Sequence, residues 1–451
     1  MTGPSVNIHH NYAIPQWQGT AAAAQPMMPT FTDCGFSNVL GDADVFSSNL
    51  PGFPSSCGMP GNSPAFMEQL MPMFGGGLGV GFPPFGPCGQ MPPQITDCFP
   101  MNGNDNFGVQ VPQNPCGVPV RLIEVGENKG LDQHGAQVAE IYTKALNNDA
   151  ANVDISILDQ DETMAPGEVP YPEQFQSKAD LDQYIDYKGS YVLAQMAKEI
   201  NATETGVVNA SLGWTRISTY MDVITLLQEQ PQLAQYVGLT PADLQGVDLS
   251  NPEKPVIPPK VEKQIVSYVD ERFGAGNSAY KQALGIYQDA AARAAEERNV
   301  NIIVAVANDG EYRKFFPSAK VGADTNFLAL SHDVISVAAA DMHGTQDLRD
   351  DTIPEFSSHG NYVFTPTIAA KGVDVKTSSG PVEGTSFATP IVSALVTRML
   401  QINPDLTPAE IRQILQETAY DTKAPDIAEG AGMLNAYEAL ELAEQTNCEA
   451  A

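Results

Sequence analysis

Positive charge is scarce in this chain and missing altogether from its first quarter. The 451 residues carry 23 Lys and Arg against 54 Asp and Glu, a formal net charge of −31, and neither Lys nor Arg occurs before Arg121. Nucleic acid and anionic membranes are therefore not expected as partners, because a protein needs cationic side chains to displace counterions from phosphate. No uninterrupted apolar run reaches ~18 residues, the length that would span a bilayer. No membrane-spanning helix is expected. The start, Met1-Thr2-Gly3-Pro4-Ser5-Val6-Asn7, lacks the basic stretch and apolar core of a conventional secretory signal. That leaves a cytoplasmic location or export by a non-classical route, with the compartment unassigned. Cysteine is absent between Cys116 and Cys448; Cys34, Cys57, Cys88, Cys98 and Cys116 all lie upstream. Their spacings match no zinc pattern. A disulfide-stapled arm would imply an oxidising compartment, and free thiols would fit the cytoplasm.

The cysteine-bearing stretch also shows neither helical nor strand period. Residues 1–117 are rich in Pro, Gly, Met and Phe, in clusters such as Met71-Pro72-Met73-Phe74-Gly75-Gly76-Gly77 and Phe82-Pro83-Pro84-Phe85-Gly86-Pro87. Such a composition does not readily bury a periodic core. The stretch is expected as a disordered extension, a sticky arm that targets, inhibits or assembles. The remaining length suits one large α/β domain, 118–446, followed by a short tail, 447–451.

Within that domain the most informative string is Gly384-Thr385-Ser386-Phe387-Ala388-Thr389-Pro390, followed by an apolar run at 391–400. It puts a serine at the mouth of a buried helix, where a helix N-terminus supplies partial positive charge for a developing oxyanion. A serine N-cap on an ordinary core helix is the commoner use of that position. Upstream, the apolar run 301–306 ends in Ala307-Asn308-Asp309-Gly310. This sets a carboxamide just past the end of a buried strand, where open parallel sheets present functional groups. Asn-Asp-Gly is also strong turn chemistry. Further upstream, Gly206-Val207-Val208-Asn209-Ala210-Ser211-Leu212-Gly213 reads as a core strand breaking at a small-residue edge. His134, within Asp132-Gln133-His134-Gly135-Ala136-Gln137-Val138-Ala139, starts a helix and is followed by glycine. An imidazole there can face a serine with little obstruction, and a serine nucleophile needs such a base.

In this order the four strings resemble the subtilisin-like serine proteases, the subtilases, whose motifs read HGTHVA, VxNxSLG, GN(E/D)G and GTSxA(S/T)P. The resemblance continues through Val334-Ile335-Ser336-Val337-Ala338-Ala339-Ala340-Asp341, Phe356-Ser357-Ser358-His359-Gly360 and Ala431-Gly432-Met433-Leu434-Asn435-Ala436. Between them Thr407-Pro408-Ala409-Glu410 is a capping box with proline at the first helical position. The resemblance implies a three-layer α/β fold, a mostly parallel sheet with helices on both faces, and peptide or protein substrates. It assigns Ser386 as nucleophile, His134 as base and Asn308 as oxyanion donor. It makes Ser211, Leu212 and Gly213 an edge that pairs with the substrate backbone, and Ala307 part of the floor of the main specificity pocket. Ala307 stands where the family has glycine, so a narrowed pocket is expected. Calcium commonly stabilises such proteins, although no residues here mark a site, and the chemistry needs no metal or cofactor.

The acid departs from the pattern. Val118-Pro119-Val120-Arg121-Leu122-Ile123-Glu124-Val125-Gly126 has the form of the first strand, with Glu124 in place of the usual aspartate, and His134 follows only ten residues later. The strand and loop normally between them are expected to be missing. Glu124 is the favoured acid and Asp132 the competitor, two residues before the histidine and awkwardly placed for its far ring nitrogen. Two other readings follow from this departure. One is a pseudoprotease that binds through its arm, and the other is a sedolisin-like acid protease using Glu, Asp and Ser. His343 and His359 also precede glycine, but they lie between Asn308 and Ser386, where the subtilase order has no base. His9, His10 and His332 are expected in solvated or structural roles. After Gly213 an addition spans 214–276, with helix-like stretches at 220–237 and 261–273, and is expected as a lid, an exosite or a neutral surface insertion. A helix capped by Ser278 then presents Tyr280, Leu284, Tyr287 and Ala291 at helical spacing. Oligomeric state is left open.

Overall fold

The computed structural model describes residues 117–127, 130–146, 153–159, 175–276, 278–343 and 350–450. The N-terminal extension up to 116, and residue 451 of the tail, lie outside the described residues. In chain order the elements are β1 (Val120–Glu127), β2 (Gly130–Leu131), α1 (Gln133–Ala145), β3 (Val153–Asp159), α2 (Lys178–Asn201), β4 (Gly206–Ala210), α3 (Arg216–Glu229), α4 (Pro259–Gly274) and α5 (Ala279–Arg298). They continue with β5 (Val300–Ala305), β6 (Val334–Ala340), β7 (Ile368–Lys371), β8 (Val375–Thr377), β9 (Gly380–Val382), α6 (Thr385–Ile402), α7 (Pro408–Thr418), α8 (Asp426–Glu429) and α9 (Ala436–Ala450).

Six strands form a parallel sheet in the order β3-β1-β4-β5-β6-β7. The central strands β4, β5 and β6 are buried along their whole length, as strands covered on both faces are, whereas β3 at the edge exposes Asp154 and Ile155. Successive side chains leave a strand on opposite faces, and the two cores sort accordingly. Ile123, Val208 and Ile302 join the cluster built on α2 to α5. Their neighbours Leu122, Val207 and Ile303 join the cluster built on α1, α6, α7 and α9. The architecture is the expected three-layer α/β fold. Parity then fixes the chemistry: Glu124 shares the face of Leu122, and Asn209 shares that of Val207. Both therefore look toward α1 and α6.

The short link between the first strand and the histidine is not a bare loop. β2 runs back antiparallel along the end of β1, with Gly126 opposite Leu131 and Glu127 opposite Gly130. This two-residue strand is what remains where a longer excursion was expected to be lost. It delivers the chain directly into α1.

The 220–237 stretch is not one helix. α3 stops at Glu229, and Pro231 opens a separate 3-10 turn, Pro231–Val237, because the residue before a proline is pushed out of the helical region. The 214–276 addition has no core of its own: Tyr220, Leu227, Val261 and Phe273 are fully buried in the same cluster as the sheet residues Val208 and Ile302. Gly189 of α2 marks how close the layers come. A Cβ there would lie 2.6 Å from the Phe273 ring and 3.2 Å from Tyr280 Cβ. Polar contacts pin the same surface, with Arg272 Nε bonding Asp186 at 2.7 Å and Lys188 paired with Asp222 at 2.8 Å.

Candidate active site

Glu124 is completely buried on β1. Its Oε2 lies 3.5 Å from His134 Nδ1 and has no other side-chain partner among the described residues. Its Oε1 accepts from Asn209 Nδ2 at 3.5 Å. Burial raises the carboxyl above its ordinary range, against the opposing pull of the imidazole. For His134, burial pulls the imidazole down, but the hydrogen bond and charge of Glu124 outweigh it, and the net shift is upward. The imidazole remains partly open, its side chain 31% exposed, while the carboxylate is closed off. That combination keeps the carboxylate dry and leaves the imidazole accessible.

Asp132 is otherwise engaged. It is the N-cap of α1, and its carboxylate accepts from the backbone N–H of Gly135 at 2.7 Å. One helix donor is thereby satisfied. Asp132 acts on the pair only through space, raising both His134 and Glu124.

Ser386 is the second residue of α6 and is half-buried at the helix mouth. Helix α6 is buried nearly all round, as expected for a central apolar helix. Pro390 has no N–H to give to the Ser386 carbonyl. A file of hydroxyls supports the helix instead, with Thr389, Ser393 and Thr397 each bonding the carbonyl four residues back at 2.8, 3.1 and 2.9 Å. The residue after the serine touches the histidine, the Phe387 and His134 ring centres being 5.3 Å apart. Farther along, Tyr142 of α1 and Thr397 share a hydrogen bond at 2.9 Å. The histidine helix and the serine helix are thus locked side by side.

Asn308 follows β5, and its amide has a fixed direction. Its Oδ1 accepts from Thr385 N at 2.9 Å and from Thr385 Oγ1 at 3.0 Å. Nδ2 is left as the donor, and a Cβ on Gly384 would stand 3.3 Å from it. Gly384 has φ +147°, so glycine suits this position both for backbone conformation and for open space beside the amide. At the mouth of α6 the N–H of Thr385 is taken by Asn308 Oδ1, and those of Phe387 and Ala388 by the Gly384 carbonyl at 3.1 and 3.4 Å. Asp309 is buried and ties this loop to the start of α3, accepting from Thr215 Oγ1 and from Ser218 Oγ at 2.5 Å. Ala307 has φ +86°, a left-handed backbone that an alanine adopts only when its surroundings force it. The forcing bonds are visible: Ala307 O accepts from Ser358 N at 3.0 Å, and Val306 O from Asn326 N at 3.1 Å.

The edge 211–213 is held from behind. Ser211 Oγ accepts from Asn209 Nδ2 at 3.1 Å, Leu212 O from Asn326 Nδ2 at 3.0 Å, and a Cβ on Gly213 would fall 2.0 Å from that same amide. The Leu212 carbonyl is therefore already paired inside the protein. Three supporting residues were missed in the sequence: Asn209, Thr385 and Asn326. For Asn209 a signal existed, since a carboxamide inside an apolar strand, on the same sheet face as Glu124, has to find a polar partner. The other histidines stand apart from the pair. His359 bonds Arg313 and is pushed down to about 4, by burial first and then by the Arg313 charge. His343 meets Asp341, and His332 stacks on Phe364. His9 and His10 lie outside the described residues. Among the described residues no group of three or more His, Cys, Asp or Glu is placed to hold a metal ion, and no helix is long and apolar enough to cross a membrane.

Comparison with known proteins adds the family. The "Subtilase family" model matches residues 126–434, beginning two positions after Glu124. The serine protease AprX of Bacillus subtilis (strain 168) is 32% identical over 177 residues, covering 33% of this chain and 38% of AprX. Halolysin of Haloferax mediterranei is 27% identical over 145 residues, 31% of this chain and 24% of halolysin. The matched parts thus span less than two-fifths of either relative. Among solved structures, the patellamide maturation protease PatA is similar at TM-score 0.38 and 18% identity, over 73% of this chain and 97% of that one. With residues 126–434 matched, the chain belongs to the subtilase family of serine proteases.

Proposed function

We propose that the protein is a serine endopeptidase in which Ser386, His134 and Glu124 form the triad and Asn308 the side-chain part of the oxyanion hole. The observation that carries this reading is the buried Glu124 carboxylate against His134 Nδ1 at 3.5 Å, on a helix whose imidazole also touches the residue after Ser386. In this mechanism Ser386 Oγ attacks the peptide carbonyl carbon while His134 Nε2 takes the hydroxyl proton. The carbonyl oxygen becomes an oxyanion held by Asn308 Nδ2 and the Ser386 N–H. Collapse of the tetrahedral species breaks the C–N bond, and His134 returns its proton to the departing amine. Water then repeats the attack on the acyl-serine ester, with His134 again as base, releasing the new carboxyl terminus and restoring Ser386. Glu124 stays ionised throughout and holds Nδ1–H. Its buried position stabilises the imidazolium as it forms. Asp132 keeps the helix start in register and takes no proton.

The substrates are peptides or proteins, paired along the 211–213 edge, with a specificity pocket narrowed at Ala307. Chemistry at Ser386 needs no metal, and any calcium would be structural. Labelling of the full-length protein with a fluorophosphonate tests the reading. Label that is present in the wild type and absent in Ser386→Ala is expected. A folded wild type that takes up no label would instead support the binding-scaffold alternative.

A further inference from the structure

The catalytic residues occupy the carboxyl ends of the strands. At the other end, beside the start of β6 and the approach to β7, lies an open recess of about 310 Å³ that includes Ser331, His332, Val334, Phe364, Arg412 and Gln416 in its lining. In a chain of net charge −31, none of the residues lining this recess is an Asp or Glu. Arg412 of α7 reaches it from one side, and no carboxylate among the described residues pairs with its guanidinium. Asp333 acts on it only through space, and burial holds its pKa below the ordinary value.

The other polar groups are mostly donors or are already used as acceptors. Ser331 Oγ accepts from Asp333 N at 3.2 Å, which leaves its own hydrogen to give. Thr367 Oγ1 accepts from Ser336 N at 3.1 Å. Gln416 is exposed on α7 at the rim, one helical turn from Arg412. The apolar wall is the Phe364 ring, fixed by His332 at 4.6 Å between ring centres. Its loop is held in a turn by Asn361 Oδ1, which accepts from the N–H groups of Val363 and Phe364 at 2.8 Å each. A planar guanidinium beside neutral donors and an aromatic wall matches one planar anion carried on an apolar body.

We propose that this recess is a second binding site, which takes a carboxylate attached to an apolar group, with Arg412 as the anchoring cation. Such a carboxylate comes either from the C-terminus of a peptide or from a free small acid. The site does not depend on the proposed catalysis.

The test uses the full-length protein with fluorobenzoate and fluorobenzamide followed by ¹⁹F NMR. A Ser386→Ala background, which leaves peptides uncut, is titrated with acetyl-Ala-Ala-Phe and its amide. Carboxylate probes are expected to bind, and their amides to bind at least about tenfold more weakly, because a charge-assisted hydrogen bond is lost. Arg412→Gln should weaken the carboxylates by a similar factor. Gln416→Glu, an exposed change that the helix tolerates, should abolish binding by repulsion even if the Arg412 variant unfolds. Tighter binding of the tripeptide acid assigns peptide ends as the source, and tighter binding of fluorobenzoate assigns free acids. Equal affinity for acid and amide, no binding of either acid, or affinity that Gln416→Glu leaves unchanged would overturn the proposal.

Discussion

Asn209 Nδ2 lies 3.5 Å from Glu124 Oε1 while its own Oδ1 accepts from Ser393 Oγ at 2.9 Å. One buried carboxamide thus connects Glu124 on β1 to the helix that carries Ser386. Replacing it with leucine keeps the branched shape and removes these two bonds and the one to Ser211 Oγ, leaving Glu124 Oε1 short of its donor while Ser393 retains the Thr389 carbonyl. The expected cost is about 1–3 kcal/mol of stability, read from urea unfolding. If about 1–2 kcal/mol of that is lost from positioning Glu124 as the proposed acid, kcat should fall roughly five- to thirtyfold. KM should hold, because Asn209 lies behind the substrate edge rather than on it.

Glu124 and Asp132 are separated by a pair of single substitutions. Glu124→Gln keeps the shape but removes the charge facing His134 Nδ1, and kcat is expected to fall by about 10⁴, the size typical when a triad acid is lost. Asp132→Ala removes the cap on Gly135 N and should cost about 1 kcal/mol of stability with kcat nearly intact. Steady-state kinetics beside thermal unfolding distinguishes the two. The reverse pattern would make Asp132 the acid.

The pH dependence has a sign set by the pair. In the proposed mechanism His134 must be neutral to accept the serine proton, and Glu124 lifts it above its ordinary value of 6.5 despite burial. The acid limb of kcat/KM should therefore fall above pH 6.5, and Glu124→Gln should move it down. Stability runs the other way. A raised histidine pKa contributes stability that is complete below about 6.5 and is lost as pH rises through the folded-state value. The raised Glu124 pKa has the same sign at lower pH, its contribution being lost as pH climbs above 4.5. Activity and stability profiles measured on one preparation should cross. A carboxylate base would instead keep the enzyme active in acid.

Much of this was legible in the sequence, and the reasons are physical. Ser386, Asn308 and His134 sit at ends of elements, where strings of small residues mark turns and helix mouths. The apolar runs 301–306 and 391–400 announce a sheet strand and a central helix by composition alone. What stayed hidden depends on pairing between distant parts of the chain. Thr385 holds Asn308 from 77 positions away, and Asn326 reaches Leu212 from 114. No local period encodes such contacts. The 214–276 addition was hard to place for the same reason, since helix periodicity shows an apolar face but not what covers it.

That covering gives a direct test of the addition as core. Gly189→Ala on α2 should help an isolated helix by about 1 kcal/mol, since glycine is a poor helix former. Here the new methyl meets Phe273 at 2.6 Å. Phe273 is fully buried, stacked on Tyr280 at 4.8 Å and edge-on to Phe327 at 5.9 Å, so it has nowhere to swing. Overpacking of this kind costs about 1–3 kcal/mol, and the variant should melt below the wild type. A gain in Tm would show that α4 and its neighbours yield, as a loosely laid surface insertion would.

Ala307 offers the opposite trade. At φ +86° its Cβ is strained, and the family's glycine would relieve that strain. The backbone bonds at Val306 O and Ala307 O hold the turn in place whichever residue occupies it. Glycine gains conformational freedom in the unfolded chain, which offsets part of the relief. Strain in this region runs to about 1–3 kcal/mol, larger than the about 0.5–1 kcal/mol entropic term. Ala307→Gly is therefore expected to raise stability modestly, by up to about 1 kcal/mol. The same change removes a methyl from the proposed pocket floor beside Asn308. Cleavage after bulky residues, measured with a substrate library varied at that position, should rise relative to cleavage after small ones. A stabler variant with unchanged preference would mean that the methyl faces away from the substrate, and that the alanine is a cost to folding without a role in selection.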